Sequence, residues 1–172
     1  MLARSATTGG VGRRHCHEPG RSTTGTVCSV RQLTTGGACH LELPLIQAGF
    51  VAVDRPDLEF LLIENIGNLV CPASRGLGEH LRVAMLSVTE GDDKPGKYPK
   101  AFRTSQACVI SKCDLLPHVP FHWHAAVNDV HLVHDGIPVL GVSALHGEGI
   151  AAWCEFLEQQ RQQLLATVSV TA

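Results

Sequence analysis

Hydrophobic and polar residues alternate along this chain in short blocks whose period changes, a pattern typical of proteins that combine strands with helices. Short apolar runs bounded by turn residues predict strands at residues 27–33, 58–63, 83–88, 108–110 and 137–142. Helical periodicity predicts helices at residues 44–53, 121–133 and 150–165. Because the two kinds of segment alternate, we predict an α/β fold with a mostly parallel sheet and flanking helices.

The two ends of the chain lack this pattern. Residues 1–25 are rich in Gly, Thr, Ser and Arg and show almost no apolar periodicity, so we predict a disordered or poorly packed tail. Residues 26–166 carry the alternation and are predicted to form one domain, which residues 167–172 follow as a short tail.

Composition and charge narrow the possible functions. The 172 residues are 44% apolar and carry a net charge of −2 with histidine neutral, as in an ordinary globular domain. Lys and Arg form no long tract, so neither nucleic acid nor an anionic membrane is an expected partner. No apolar run approaches the roughly 20 residues of a membrane span, and no secretory signal is recognisable, so we expect a cytoplasmic protein.

Seven cysteines at irregular spacings favour reduced thiols over a disulfide framework. Cys108, in an apolar run, and Cys154, in the last predicted helix, are expected to be core residues. Cys39 and His40 share a glycine-rich loop, and Cys71 follows the apolar segment 58–63.

Thiolate and imidazole donors suit Ni²⁺ or Zn²⁺ and exclude Mg²⁺ from these three residues. By residue type alone, a metal site and ordinary buried thiols are equally favoured. The neighbouring side chains of Cys39 and His40 would point to opposite faces of a strand, so a shared site requires a loop or a second protomer.

Two loops that follow predicted strands resemble the elements with which GTPases recognise a guanine base. Ser111-Lys112-Cys113-Asp114 resembles the N-K-x-D element of GTPases, in which the carboxylate accepts hydrogen bonds from guanine and the lysine stem lies along the base. The segment that begins with Ser143-Ala144 and ends with Gly147-Glu148-Gly149 resembles the S-A-x-x-G-x-G element, which closes over the base with backbone amides.

Several segments together resemble the hydrogenase nickel-incorporation GTPase family of the HypB type. The resemblance is carried by residues 37–41, 64–72, 86–95 and 97–99 and by the two base-reading loops. It implies a homodimeric GTPase of the P-loop class (SIMIBI group) that delivers nickel to the hydrogenase large subunit together with other maturation proteins. It also implies a role for each matching residue: metal ligands Cys39, His40 and Cys71; catalytic switch residues Glu64 and Gly67, sensing Mg²⁺ and the γ-phosphate; and GTP-binding residues Lys112, Asp114, Ser143 and Ala144.

One family feature is missing from the sequence: no G-x-x-x-x-G-K-[ST] motif occurs, and the only Gly-Lys pair, Gly96-Lys97, is followed by Tyr98. The loss of three contacts to charged phosphates, at about 1.5–3 kcal/mol each, removes roughly 5–9 kcal/mol of binding. We therefore expect an incomplete GTPase-like domain, truncated at its N-terminus, with weak or absent binding of GTP and Mg²⁺ and no competent hydrolysis. The alternatives are a nickel- or zinc-binding module without turnover and an inactive fragment.

Other polar clusters are not assigned to the site. The triplet His15-Cys16-His17 is treated as incidental, because a flexible segment loses entropy when it is ordered around a metal. The His-rich region 118–134 is expected to bind Ni²⁺ only weakly and adventitiously. For the polar loop that contains Asp92, Asp93 and Lys94, a solvated turn and a functional role are equally favoured.

Overall fold

The computed structural model describes residues 12–15, 27–54, 56 and 58–171, and the chain divides into two compact units, residues 1–77 and 78–172. Residues 1–11 and 16–25 of the predicted tail, with Cys16 and His17, lie outside the described residues, as does residue 26. Within that predicted tail, Gly12–His15 forms strand β1, which pairs antiparallel with β2, Val27–Val30.

The second unit contains a three-stranded parallel sheet. Its strands are β3 (Val83–Ser87), β4 (Ala107–Ser111) and β5 (Val139–Val142), and β4 lies in the centre. The first four residues of β4 are all buried, as expected for a parallel strand covered on both faces. The register aligns Ser87 with Ser111 and Ser111 with Val142, so the three strands end at one edge of the sheet. The predicted α/β fold is therefore confirmed.

Helices connect and follow these strands. They are α2 (Lys94–Lys97), α3 (Pro99–Arg103), α4 (Trp123–Val133) and α5 (Ile150–Thr171). Ala126 and Val130 of α4 are fully buried one turn apart, which is the apolar stripe that predicted this helix. No helix among the described residues is long and apolar enough to cross a bilayer.

Three predictions about this unit need correction. Residues 167–171 belong to α5, because no glycine or proline ends the helix earlier. The short helix α2 begins inside the polar loop predicted after β3, and α3 was not predicted; each has a proline in its first turn, where proline is tolerated. Cys154 is exposed, because the partly buried side of α5 is formed by Trp153, Phe156 and Leu157.

The first unit has a small core around one helix, α1, which spans Leu43–Val51. Its buried members are Leu33, Leu41 and Ile46, and Ile63 packs against them.

The strand predicted at residues 58–63 is wrong, since residues 58–66 contain no strand. Phe60 is 39% exposed and Leu62 37% exposed. An apolar run favours a strand only when a neighbouring strand takes up its backbone hydrogen bonds, and composition alone does not supply that neighbour. This segment leads directly into Glu64.

Candidate functional site

The Cys39-His40 pair lies in a loop that glycine makes possible. Gly36 and Gly37 have φ angles of +61° and +97°, and the Ala38 N–H donates to the Thr35 carbonyl at 3.2 Å, which closes a turn. Leu41, 1% exposed, anchors the other end of the loop in the core. Because the pair lies in a loop between this turn and Leu41, its two side chains need not point in opposite directions, as they would in a strand.

The imidazole of His40 lies beside the Cys39 thiol. Cys39 Sγ is 3.6 Å from His40 Nδ1. The other ring nitrogen, Nε2, is buried and has no hydrogen-bond partner among the described residues; the carboxylate oxygen of Glu42, 3.8 Å away, is too distant for one. His40 therefore keeps a buried nitrogen that is chemically suited to a cation.

The Cys71 thiol meets the same group from a second segment. Cys71 precedes the 3₁₀ turn Pro72–Ser74 and is half-buried. A hydrogen bond with the Cys39 thiol raises the pKa of the Cys71 thiol, and desolvation and the charge of Cys39 act in the same direction. Two adjacent thiolates repel each other, so both thiols do not readily ionise together. A bound cation compensates this repulsion and favours the doubly ionised pair.

The three predicted metal ligands thus meet as contacting pairs. No group of three or more His, Cys, Asp or Glu side chains has the arrangement of a metal site within the part of the chain that the structure describes. Their assignment as ligands stays a prediction. Cys108 differs from them, since its complete burial raises the pKa of its thiol to about 12 and confirms the expected core role.

Two asparagines that sequence reasoning missed contact this group. The Leu41 N–H donates to Asn65 Oδ1 at 3.2 Å, and Asn68 Nδ2 donates to Cys71 Sγ at 3.9 Å. Both flank Gly67, and their only sequence signal was their position between Glu64 and Cys71.

The predicted catalytic residues Glu64 and Gly67 lie in the same irregular segment as these asparagines. Glu64 is half-buried, while Gly67 is exposed, and no atom of the described residues lies within 4 Å of the position that its Cβ would occupy. Their roles as switch residues stay predictions.

The base-reading loops of the second unit are more tightly fixed. Ser143 is fully buried directly after β5, and its hydroxyl donates to Asp114 Oδ1 at 2.6 Å. The Ser143 N–H in turn donates to the Glu148 carbonyl at 2.9 Å. Lys112 adopts a left-handed conformation with φ +60° immediately before the 3₁₀ helix that contains Asp114. Two predicted base-binding residues, Asp114 and Ser143, are therefore in direct contact.

Electrostatics favour an ionised carboxylate in these loops. The hydrogen bond from Ser143 lowers the pKa of Asp114, and the nearby charges of His146 and Lys112 add to this effect. An ionised, half-buried carboxylate is an acceptor-only group, as recognition of the guanine N–H groups requires. Ala144 is exposed in the following loop.

The His-rich region has structural contacts of its own. His131 Nε2 is 3.2 Å from the Ile137 carbonyl, and His134 Nδ1 is 3.3 Å from the Phe102 carbonyl. In the polar loop after β3, Asp92 Oδ2 accepts hydrogen bonds from the His122 N–H at 2.9 Å and from His122 Nδ1 at 2.7 Å. These contacts, which also lower the pKa of Asp92, give that loop a role in holding the start of α4.

No family model matches the chain. It is 45% identical over 130 residues to the hydrogenase maturation factor HypB of Azotobacter chroococcum mcd 1, and 43% identical over 130 residues to that of Escherichia coli K12. Each match covers 76% of this chain and less than half of the relative, 43% and 45% respectively. The hydrogenase/urease maturation factor HypB of Helicobacter pylori J99 is 38% identical over 146 residues, covering 82% of this chain and 60% of the relative. The chain thus spans about half the length of these relatives.

Two solved structures share the fold. HypB from Helicobacter pylori in complex with nickel superposes with a TM-score of 0.73 at 36% identity, covering 78% of this chain and 65% of the other. The hydrogenase maturation factor HypB from Archaeoglobus fulgidus gives a TM-score of 0.71 at 35% identity, covering 77% and 64%.

Proposed function

Since the chain belongs to the HypB family over the region that it shares with these relatives, we propose that it binds nickel for delivery during hydrogenase maturation. Nickel is the cargo in this proposal. The observation that carries it is the contact of the Cys39 thiol with both the His40 imidazole and the Cys71 thiol. Two sulfurs and an imidazole nitrogen suit Ni²⁺, and the nickel complex of the relative from Helicobacter pylori supports that choice.

The ligand set also suits Zn²⁺, so zinc competes for the same donors. Three protein ligands leave at least one coordination position open, which suits a cargo that must be released, and a second protomer of a homodimer would be able to fill it. The partners that we propose are those of the family: a second copy of the chain, the hydrogenase large subunit and other maturation proteins.

Guanine nucleotide is proposed as the second ligand. Asp114, held ionised by Ser143, is the acceptor for the base, with Lys112 and Ala144 beside it. Glu64 and Gly67 are proposed to sense Mg²⁺ and the γ-phosphate. Because the sequence contains no G-x-x-x-x-G-K-[ST] motif, we propose that this chain binds GTP weakly and does not hydrolyse it efficiently.

The missing motif favours one alternative function, a nickel- or zinc-binding module without nucleotide turnover. The two candidates predict the same metal binding and differ in GTP hydrolysis. Hydrolysis above background by the purified chain, abolished by Asp114→Asn, would support the coupled function and exclude the passive module.

Nickel titration of the purified, reduced chain tests the metal proposal. We expect Cys39→Ala and Cys71→Ala each to lower the Ni²⁺ affinity by about 100-fold or more, because the loss of a ligand costs more than the 10–100-fold typical of losing a supporting contact. Cys154→Ala is the matched control, because it removes an exposed thiol that is not assigned to the site. Unchanged nickel affinity in both site variants would refute the proposal.

A further inference from the structure

Two asparagine side chains connect the segment 64–68 to the predicted metal ligands. We propose that Asn65 and Asn68 are positioning residues of the metal site that use different atoms of the same functional group: Asn65 acts through its amide oxygen and Asn68 through its amide nitrogen. This inference rests on the proposed nickel binding and adds to it two supporting residues.

Asn65 holds the backbone next to His40. Its Oδ1 accepts hydrogen bonds from the Leu41 N–H at 3.2 Å and from its neighbour Ile66 N–H at 2.9 Å. Leu41 is buried and directly follows His40, so the hydrogen bond from the Leu41 N–H fixes the backbone next to the residue that carries the imidazole. Both of these bonds end on the oxygen, and neither involves the amide nitrogen.

The side-chain amide of Asn68 makes two different hydrogen bonds. Its Oδ1 accepts from the Val70 N–H at 2.8 Å, which closes the local turn. Its Nδ2 donates to Cys71 Sγ at 3.9 Å, a length suited to the large radius of sulfur. The backbone of Asn68 is held as well, because its N–H donates to the Ile66 carbonyl at 2.6 Å.

The hydrogen bonds of Asn65 and Asn68 are of the kind that orients metal ligands in proteins. An N–H group directed at a ligating sulfur fixes its orientation and stabilises the negative charge of the thiolate. Loss of such a supporting contact lowers metal affinity by about 10–100-fold. The two asparagines also join both ligand segments to residues 64–68, the stretch that contains Glu64 and Gly67.

Substitution by aspartate separates the two roles. Asn65→Asp and Asn68→Asp both preserve side-chain shape and the accepting oxygen, and both add one negative charge a few residues from Cys71. Only Asn68→Asp removes a donor that the structure uses. We expect Asn68→Asp to lower the Ni²⁺ affinity by about 10-fold or more, and Asn65→Asp to change it by less than about threefold.

Asn65→Ala completes the set, because it removes the oxygen and should weaken nickel binding about 10-fold. Equal nickel affinities for Asn65→Asp and Asn68→Asp, or tighter binding by Asn68→Asp, would overturn the assignment. Far-ultraviolet circular dichroism and the thermal midpoint of each variant identify any loss of folding, and the comparison is made between the folded variants.

A measurement without metal keeps this inference distinct from the proposed function. In the nickel-free chain, the alkylation rate of Cys71, followed by peptide mass, should fall roughly threefold or more in Asn68→Asp, because a carboxylate beside the sulfur disfavours the reactive thiolate. Asn65→Asp should leave that rate unchanged. An unchanged rate in Asn68→Asp overturns the inference whatever nickel does. A slowed rate with undiminished nickel affinity would show that the Asn68 amide lies beside the sulfur but does not support nickel binding, which overturns the positioning role while the proposed nickel function stands or falls with Cys39→Ala and Cys71→Ala.

Discussion

The thiol and imidazole group of the first unit and the base-reading loops of the second unit are built by different means. Cys39, His40 and Cys71 lie on turns, and side-chain hydrogen bonds from asparagines hold the segments around them. Asp114 lies just after a buried strand and is fixed by a fully buried serine. The position of the base-reading loops therefore depends on the sheet, whereas the position of the predicted metal ligands depends on local hydrogen bonds and on glycine turns.

Glycine substitutions should give the largest contrast between the two regions. A Cβ at Gly149, where φ is +71°, would overlap the carbonyl oxygen of Gly141, whereas a Cβ at Gly37, where φ is +97°, would meet no atom of the described part of the chain within 4 Å. We expect Gly149→Ala to lower the free energy of unfolding by about 3–4 kcal/mol, since backbone strain and a backbone overlap add. Gly37→Ala should cost about 1–2 kcal/mol, from strain alone.

Urea denaturation followed by circular dichroism measures both free energies. Gly147→Ala is a control in the same loop as Gly149, because φ is +79° there but the space around it is open. Equal losses for Gly149→Ala and Gly147→Ala would show that the overlap with Gly141 is relieved at no cost. The claim that the base-reading region is the stiffer of the two would then fail.

The core of the first unit provides the next largest effect. Leu41 is 1% exposed, and its backbone N–H binds Asn65. Leu41→Ala should lower the free energy of unfolding by about 2–3 kcal/mol, at the lower end of the range for buried leucines because the surrounding core is small. It should also weaken nickel binding, since the loop that carries His40 loses its anchor.

Leu132→Ala is the matched control for this prediction. Leu132 is 84% exposed, so its truncation should change the free energy of unfolding by less than about 0.5 kcal/mol and leave nickel affinity unchanged. If Leu41→Ala destabilised the chain without affecting nickel binding, the metal ligands would be independent of the core, contrary to the comparison above.

The sequence was a good guide to the second unit because its signals are periodic. The apolar runs at β3, β4 and β5 and the stripe that includes Ala126 and Val130 predict elements with only small errors at their ends. The same reasoning failed at residues 58–63, because apolar composition does not reveal whether a neighbouring strand is available. It also missed α2, whose four residues are too few to show a helical period.

Only the chemically reactive residues of the candidate site could be predicted from the sequence. Cysteine, histidine and aspartate reveal themselves by their chemistry, so Cys39, Cys71 and Asp114 were identified from residue type and resemblance. Asn65 and Asn68 were not, because asparagine is common in turns and the sequence does not indicate which backbone or side-chain group its amide contacts. Supporting residues of this kind become visible only when two distant segments are brought together.

The smallest effect that we predict is a change in pH dependence in the base-reading loops. The hydrogen bond from Ser143 lowers the pKa of Asp114 in the folded chain. A carboxyl group whose pKa is lowered by folding stabilises the folded state above its unfolded pKa of about 3.9, and this contribution is lost as the pH falls through the folded value. Ser143→Ala should therefore lower the thermal midpoint relative to the original chain at pH 6–7, and part of the difference should disappear as the pH falls below the unfolded pKa of about 3.9 and through the lower folded value.

Ser105→Ala separates this effect from the general cost of removing a buried hydroxyl. Ser105 is 1% exposed and donates at 2.8 Å to the uncharged carbonyl of Ala101, so its loss should lower the thermal midpoint by the same amount at every pH. A pH-independent difference for Ser143→Ala as well would mean that Ser143 fills space and does not hold the Asp114 carboxylate. The base-reading loops would then lack a carboxylate charge fixed by a buried hydroxyl, which is the feature that distinguishes them from the metal-binding loops.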